Sequence, residues 1–485
     1  MSASFFFYDL ETSGLKPDRA RIMQFAGQRT DADLNPIGEP INRLISLNKD
    51  VLPDPRAVIV HGITPQQTLL EGVSETDFLK EFYAEVALPQ TTFVGFNNIR
   101  FDDEFMRYLN YRNLYDPYAW SYEHDSSRWD ILDVVRMTRA LRPDGINWPT
   151  NPDGSKSNRL EHLTKANNLS HEAAHDALSD VLATIAVAGL IKQKQPRLYD
   201  FMYELRQKKA AAALANSGQP FVYTSSHYPS SQYHTTVVAK VADHPDPNCI
   251  IVYDLRYDPT PWLNQTAEQL AEAWRYVADR PADNPPLPVK TVRLNRCPAV
   301  APLGVASDNA TMSRLALSLD EIKRNYSILT SSQDTFATRL REAVQLFNQE
   351  QQSVNLDSSK PIDARLYDGF YSDSDRQHIK QLHVEETPEK VRQYASKYQD
   401  KRLRLLSPLY LARNFERYLN QSERKTWDEH VNKRLFGGGP SSQLAIYFQT
   451  LSQVAIERSN DAKSQSLLED LKLYGESLVP SDMIN

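Results

Sequence analysis

Cysteine is almost missing: Cys249 and Cys297 are the only two in 485 residues. Two thiols cannot build a disulfide framework or a Cys-based zinc site, and a reducing, intracellular compartment suits them. Long apolar runs are also absent, all falling far short of the ~18–20 residues needed to span a bilayer. The opening stretch, Met1 to Tyr8, has no basic segment and Asp9 cuts its apolar run short, so it does not read as a signal peptide. Glycine is scarce, 16 against 29 prolines, which excludes collagen-like and Gly/Ser-linker character. No internal repeat or low-complexity segment is visible. What remains is an ordinary globular balance, 41% hydrophobic and 24% charged, in a chain long enough for two to four domains.

Net charge is −7, yet cations gather locally. Lys390 to Arg434 holds twelve Lys/Arg against five Asp/Glu, and Lys192 to Lys209 holds six against two. Basic surface can therefore exist on an acidic protein, although solvated helix faces explain either run equally well.

Hydrophobic patterning divides the chain in three. The first 196 residues alternate strand and helix. Phe5 to Glu11 is a nearly continuous apolar run, as for a strand covered on both faces. Arg21–Arg29 and Ile41–Leu47 read as the next strands, Glu75–Ala87 and Asp102–Tyr111 as helices, and Thr91–Gly95 as a strand between them. Ala174–Leu190 is the clearest helix, with Leu178, Val181, Leu182, Ile185 and Ala188 as one stripe. Residues 197–355 hold the β-rich runs Phe221–Ser225, Tyr233–Val241, Ile250–Leu255 and Val289–Leu294, interrupted by a helix over Ala267–Ala278. Residues 356–485 read as helical, with a glycine break at Gly437–Gly439.

Three short elements carry chemistry. Asp9 and Glu11 close the first strand two residues apart, so both carboxylates leave one face. Burying such a pair is costly unless a cation lies between them, and hard oxygen ligands favour Mg²⁺ or Mn²⁺. Asp102 and Asp103 open a helix after Gly95, where Asp103 reads as a cap. His175 and Asp180 open the strong helix; His171 and Asp176 have the same spacing. Helix arithmetic favours the later pair, because Asp180 adjoins the apolar stripe.

In order, these elements are Asp-x-Glu, Phe-Asp and His-x4-Asp, and with them the sequence resembles the histidine branch of the DEDD 3′→5′ exonuclease superfamily. Within it the likeness is to the exonuclease I family. Tyr8-Asp-Leu-Glu-Thr12, Asn97-Asn-Ile-Arg-Phe-Asp-Asp-Glu104, Leu141-Arg-Pro-Asp-Gly-Ile-Asn-Trp148, Arg159-Leu-Glu-His-Leu-Thr-Lys-Ala-Asn167 and Ala174-His-Asp-Ala177 carry it. The likeness is dense over roughly 1–205 and patchier afterwards, where Leu366-Tyr-Asp-Gly-Phe-Tyr-Ser-Asp373 is a clear island. It implies a multidomain α/β chain: a ribonuclease-H-like exonuclease domain (1–196), a small SH3-like β domain (197–355) and an all-helical C-terminal domain (356–485). It also implies 3′→5′ degradation of single-stranded DNA to nucleoside 5′-monophosphates, serving DNA repair and recombination in the cytoplasm, at the nucleoid. An RNA 3′-trimming exonuclease and a non-catalytic repair or replication adaptor are the competing readings.

Phosphodiester hydrolysis then assigns roles. Two Mg²⁺ ions, with Mn²⁺ as substitute, would activate water and stabilise charge on the leaving oxygen. Asp9 bridges them, Glu11 and Asp180 complete one site, and Asp102 holds the second, mainly through water. His175 is the general base. Tyr118, Trp120 and Tyr122 alternate on a Pro-containing loop as base-stacking candidates. Thr12, Arg100 and Arg128 are further candidate DNA contacts. Trp129 reads as core in a helical pattern running on to Ile131 and Val134. The resemblance also implies single-strand DNA-binding protein as partner, its acidic C-terminal tail meeting Arg142. No feature calls for a membrane or for obligate assembly, so a monomer is expected.

Overall fold

In the computed structural model of the chain, residues 4–171, 175–275, 277, 280–281, 284–355 and 360–479 are described. The chain forms two compact units, Met1–Ser126 with Glu172–Leu182 and Lys360–Asn485, and Ser127–His171 with Ala183–Ser359.

The first unit is built around β1 (Ser4–Thr12), β2 (Ile22–Thr30), β3 (Ile41–Leu44) and β4 (Thr91–Gly95), in the order β3-β2-β1-β4. β1 runs antiparallel to β2 and parallel to β4. Successive side chains of β1 leave opposite faces. Phe6, Tyr8 and Leu10 therefore join one core with Phe25, Phe78, Phe82, Phe93 and Trp120, and Asp9 and Glu11 leave the other face together. A bulge between Glu11 and Thr12 ends the regular register, a device that re-aims side chains at a strand end. The helix read over Glu75–Ala87 is α-helical to Glu81 and continues as a π turn over Phe82–Val86.

The last third adds helices, among them Asp373–Val384, Lys401–Asn414 and Gln421–Phe436. Its basic stretch is only partly solvated. Arg413 bridges Asp50 and Asp363 at 2.7 Å each. Asp363 also receives Arg434 at 2.7 Å and Arg21 at 2.9 Å. Arg402, too, is buried and donates to Asp400 and to the Leu366 carbonyl. Burial alone would raise the Asp363 carboxyl, but Arg413, Arg21 and Arg434 hold it well below the usual range. Replacing Asp363 by asparagine leaves three buried guanidiniums short of an anion. Chemical denaturation should show a loss of about 3–5 kcal/mol, the usual consequence of removing one partner from a buried ion pair.

The second unit opens with β5 (Ser127–Asp130) and contains β6 (Phe221–Thr224), β7 (Thr235–Asp243), β8 (Cys249–Asp254), β9 (Val289–Arg293) and β10 (Ala299–Pro302). The last five form an antiparallel sheet in the order β10-β6-β7-β8-β9. Trp129 is core, as its apolar neighbours required, but belongs to β5 and not to a helix. The helix expected over Ala267–Ala278 ends at Trp274, and Ala278 lies outside the described residues. Among the described residues, no helix is long and apolar enough to cross a membrane.

Candidate active site

The C-terminal end of β1 is where charge accumulates. Carboxylate oxygens of Asp9, Glu11 and Asp180 all lie within 4.8 Å of one another. Asp180 comes from the first turn of the helix Ala177–Lys194. Asp176, of the rival pair, caps that helix: its Oδ2 accepts the Ser179 N–H at 3.1 Å. His171 belongs to the second unit, its Nδ1 3.1 Å from the Thr164 hydroxyl. Ala174, the expected first residue of the helix, lies outside the described residues. Leu182 is exposed, so the buried stripe runs through Val181, Thr184, Val187 and Ala188 instead.

Crowding perturbs these acids. Burial, then the charges of Asp180 and Asp176, push Asp9 well above the ordinary carboxylate range. Burial, then Asp9, Asp180 and Asp176, push Glu11 up to about 9. At neutral pH the bare cluster therefore retains protons, and added positive charge lets Asp9 and Glu11 ionise together. An oxygen-only donor set of this kind fits a hard divalent cation.

A pH test follows from the raised Glu11. The folded chain keeps a proton that the unfolded chain releases above about 4.5, so stability without divalent ions falls as pH climbs from there towards 9. A divalent cation entering the cluster, with Mg²⁺ as the probe, would have to displace that proton. Its affinity should rise about 10–100-fold between pH 6.5 and 8.5, with protons released on binding. Calorimetry in buffers of different ionisation enthalpy measures both; a pH-independent affinity would contradict the raised Glu11 pKa.

The neighbouring segment after β4 is held tightly. A Cβ on Gly95 would lie 2.6 Å from the Asn98 Cβ and 3.0 Å from the Tyr8 carbonyl oxygen, so only glycine fits. Asn97 then takes a left-handed φ of 72°, and the helix Asp102–Arg112 begins. Asp103 is not the expected cap. It is fully buried and accepts the Tyr8 hydroxyl at 2.5 Å and the Asn98 amide at 3.3 Å. Burial, then Asp103 and Asp102, raise the Tyr8 hydroxyl far above its ordinary value, keeping it a donor. Asp102 is buried at the first position of the helix and stands outside the three-oxygen cluster.

His175 is exposed, with a left-handed φ of 68°. A second histidine, missed from sequence, lies close by. His61 ends the helix Pro55–His61, whose cap residue Asp54 donates its N–H to the Ser13 carbonyl at 2.7 Å, just past Thr12. Its Nδ1 accepts the Ile63 N–H at 3.0 Å. Burial, with a further push from His175, holds it down to about 4, so it is neutral.

The candidate DNA contacts separate by exposure. Trp120 is no platform. It is 3% exposed, meets Phe93 edge-on at 4.8 Å and donates its Nε1–H to the Pro117 carbonyl. A Pro-containing loop has no fixed two-residue period, and the short helical turn Ala119–Ser121 rolls this ring inward. Tyr122 is 52% exposed. Tyr118 is half-buried over the Arg107 guanidinium at 5.4 Å. Phe370, 79% exposed and far along the chain from that loop, stands 6.1 Å from Tyr118. Thr12 is buried and its hydroxyl donates to the Gly14 carbonyl at 3.0 Å. Arg100 is exposed. Arg128, in the second unit, donates to the Asn295 carbonyl at 3.2 Å. Arg142 ends the helix Ile131–Leu141 of that unit and donates to the Leu141 carbonyl.

The class this fold and cluster define is that of an exonuclease, and residues 6–188 match the family model described as Exonuclease. Residues 206–349 match the exonuclease I SH3-like domain and 360–478 the exonuclease I C-terminal domain. The chain belongs to the exonuclease I family, a family of exodeoxyribonucleases. It is 39% identical to exodeoxyribonuclease I of Escherichia coli K12 over 480 residues, 98% of each chain. It is also similar to the solved structure of E. coli exonuclease I with a dA16 oligonucleotide (TM-score 0.92, 38% identity, 99% of this chain, 100% of that one). A moderately thermophilic exonuclease I from Methylocaldum szegediense gives TM-score 0.91 and 40% identity at the same coverage. Other similar structures show exonuclease I with SSB and an inhibitor (TM-score 0.88, 37% identity) and a zinc-bound E. coli complex with single-stranded DNA (0.90, 36%), also covering 99% of this chain and 100% of theirs.

Proposed function

We propose that this chain removes nucleotides from the 3′ end of single-stranded DNA, releasing nucleoside 5′-monophosphates by hydrolysis that depends on two Mg²⁺ ions. The observation that carries this is the Asp9–Glu11–Asp180 cluster, set in a chain alike over its whole length to a nuclease solved with an oligonucleotide. Asp9, Glu11 and Asp180 would hold one cation; Asp9, shared, and Asp102 would hold the other. The cations supply activation of water and neutralisation of charge at phosphorus and on the leaving oxygen. His175, exposed just before the helix Ala177–Lys194, would take the proton of the attacking water.

Tyr118, Tyr122 and Phe370 are the stacking candidates that remain, with Arg100 for phosphate. Thr12 would act at the strand end beside Glu11, and Arg128 is a further candidate DNA contact. Arg142 is the proposed contact for the acidic tail of single-strand DNA-binding protein, a partner class named with one similar structure. The domain limits proposed are 1–196, 197–355 and 356–485, in a monomer acting in the cytoplasm at the nucleoid, in repair and recombination.

The test is digestion of a 5′-labelled DNA strand, its duplex, and RNA of the same sequence, each with Mg²⁺ and with EDTA. A ladder shortening from the 3′ end on single-stranded DNA alone, abolished by EDTA, is expected. Equal RNA degradation would make the chain an RNA-trimming enzyme; no degradation at all would make it an adaptor.

A further inference from the structure

Two polar residues border the carboxylate cluster without belonging to it. Gln24 lies opposite Glu11 across β1 and β2, and only 6% of it is exposed. Its Nε2 donates to Asn42 Oδ1 at 3.0 Å and to Asp176 Oδ1 at 3.3 Å. Both oxygens of Asp176 accept, and the amide turns its nitrogen towards the nearer one. That fixes the direction of Oε1, which is buried with no donor. A buried acceptor without a donor is costly and calls for an explanation.

Asp176 is held from two sides, by the Ser179 N–H on Oδ2 and by Gln24 on Oδ1. Capping the helix needs one oxygen and no partner from β2. The second hold turns the carboxylate into a fixed charge, and that charge acts on both Asp9 and Glu11.

We propose that Asp176 and Gln24 are positioning residues in an outer ring around the cation site. Asp176 adds negative charge behind the three ligands, and Gln24 both orients that carboxylate and offers Oε1 to a water in the hydration shell of a bound divalent cation. This role rests on reading Asp9, Glu11 and Asp180 as cation ligands. Outer groups of this kind commonly change metal affinity by about 10–100-fold.

Asp176→Asn is the decisive variant, because asparagine caps helices as well as aspartate while it removes the charge and puts an amide N–H in place of the oxygen that accepts from Gln24. Gln24→Leu removes the amide. Mg²⁺ and Mn²⁺ titrations by calorimetry, without DNA, should show affinity about 10–100-fold weaker in each variant. Thermal melts in EDTA should show Asp176→Asn folded and no less stable than the parent, and its activity at low Mg²⁺ should recover when Mg²⁺ is raised. Should Gln24→Leu not fold, Asp176→Asn alone is sufficient. Parental cation affinity in Asp176→Asn would overturn the proposal. A parent chain that binds neither cation would instead overturn the reading of the cluster itself.

Discussion

Asp9→Asn is expected to stop hydrolysis and, without divalent ions, to leave the fold at least as stable as before. The substitution keeps the shape of the side chain and removes one of three carboxyl groups whose oxygens lie within 4.8 Å. Asp9 is the member shared by both proposed cation sites, so its loss weakens each. Removing a cation's contribution to the transition state costs several kcal/mol, and each 1.36 kcal/mol is a factor of ten; turnover should fall by more than about 10⁴-fold. Mg²⁺ titration should show binding weakened in parallel. In EDTA at alkaline pH the melting temperature should rise, because an amide at position 9 neither has to ionise in a buried place nor repels Glu11, which burial and then Asp9 raise. Active sites often carry strain of this kind against stability. Metal affinity at the parental value would remove Asp9 from its bridging role.

His175→Ala separates the proton step from the cation site. Turnover should drop by about 10²–10⁴-fold, the range for a lost general base, with Mg²⁺ binding and single-strand affinity unchanged. The two readouts divide cleanly because His175 is exposed and not one of the three clustered carboxylates. Unimpaired turnover would hand its role to another group, and neutral His61 would be the first to examine by the same substitution.

The sequence disclosed what local periodicity controls. Alternation along β1 put Asp9 and Glu11 on one face, β4 starts and stops where its apolar run does, and the helix after it begins at Asp102. The choice of Asp180 over Asp176 followed from one-turn arithmetic, and the structure brings Asp180 to the strand pair while Asp176 caps the helix. What stayed hidden depends on partners distant in the chain. Arg413 and Arg434 look like solvated cations until Asp50 and Asp363 meet them. Asp103 looks like a cap until Tyr8, 95 residues earlier, donates to it. Trp120 looked like an exposed ring because loop residues carry no period from which to infer direction, whereas its burial is decided by Phe93 and Phe82. β10, Ala299–Pro302, ends on proline and gave no strand signal.

The hydrogen bond from Tyr8 to Asp103 joins two neighbours of proposed ligands, Asp9 on one side and Asp102 on the other. Strand and helix are thus riveted one residue away from the proposed ligands, by a tyrosine side chain that adds to the pairing of β1 with β4. Such a scaffold would be rigid before any cation arrives, so loading it should demand little rearrangement. Cutting the rivet with Tyr8→Phe, which keeps the ring in its core, should leave a folded protein whose strand and helix drift apart more freely.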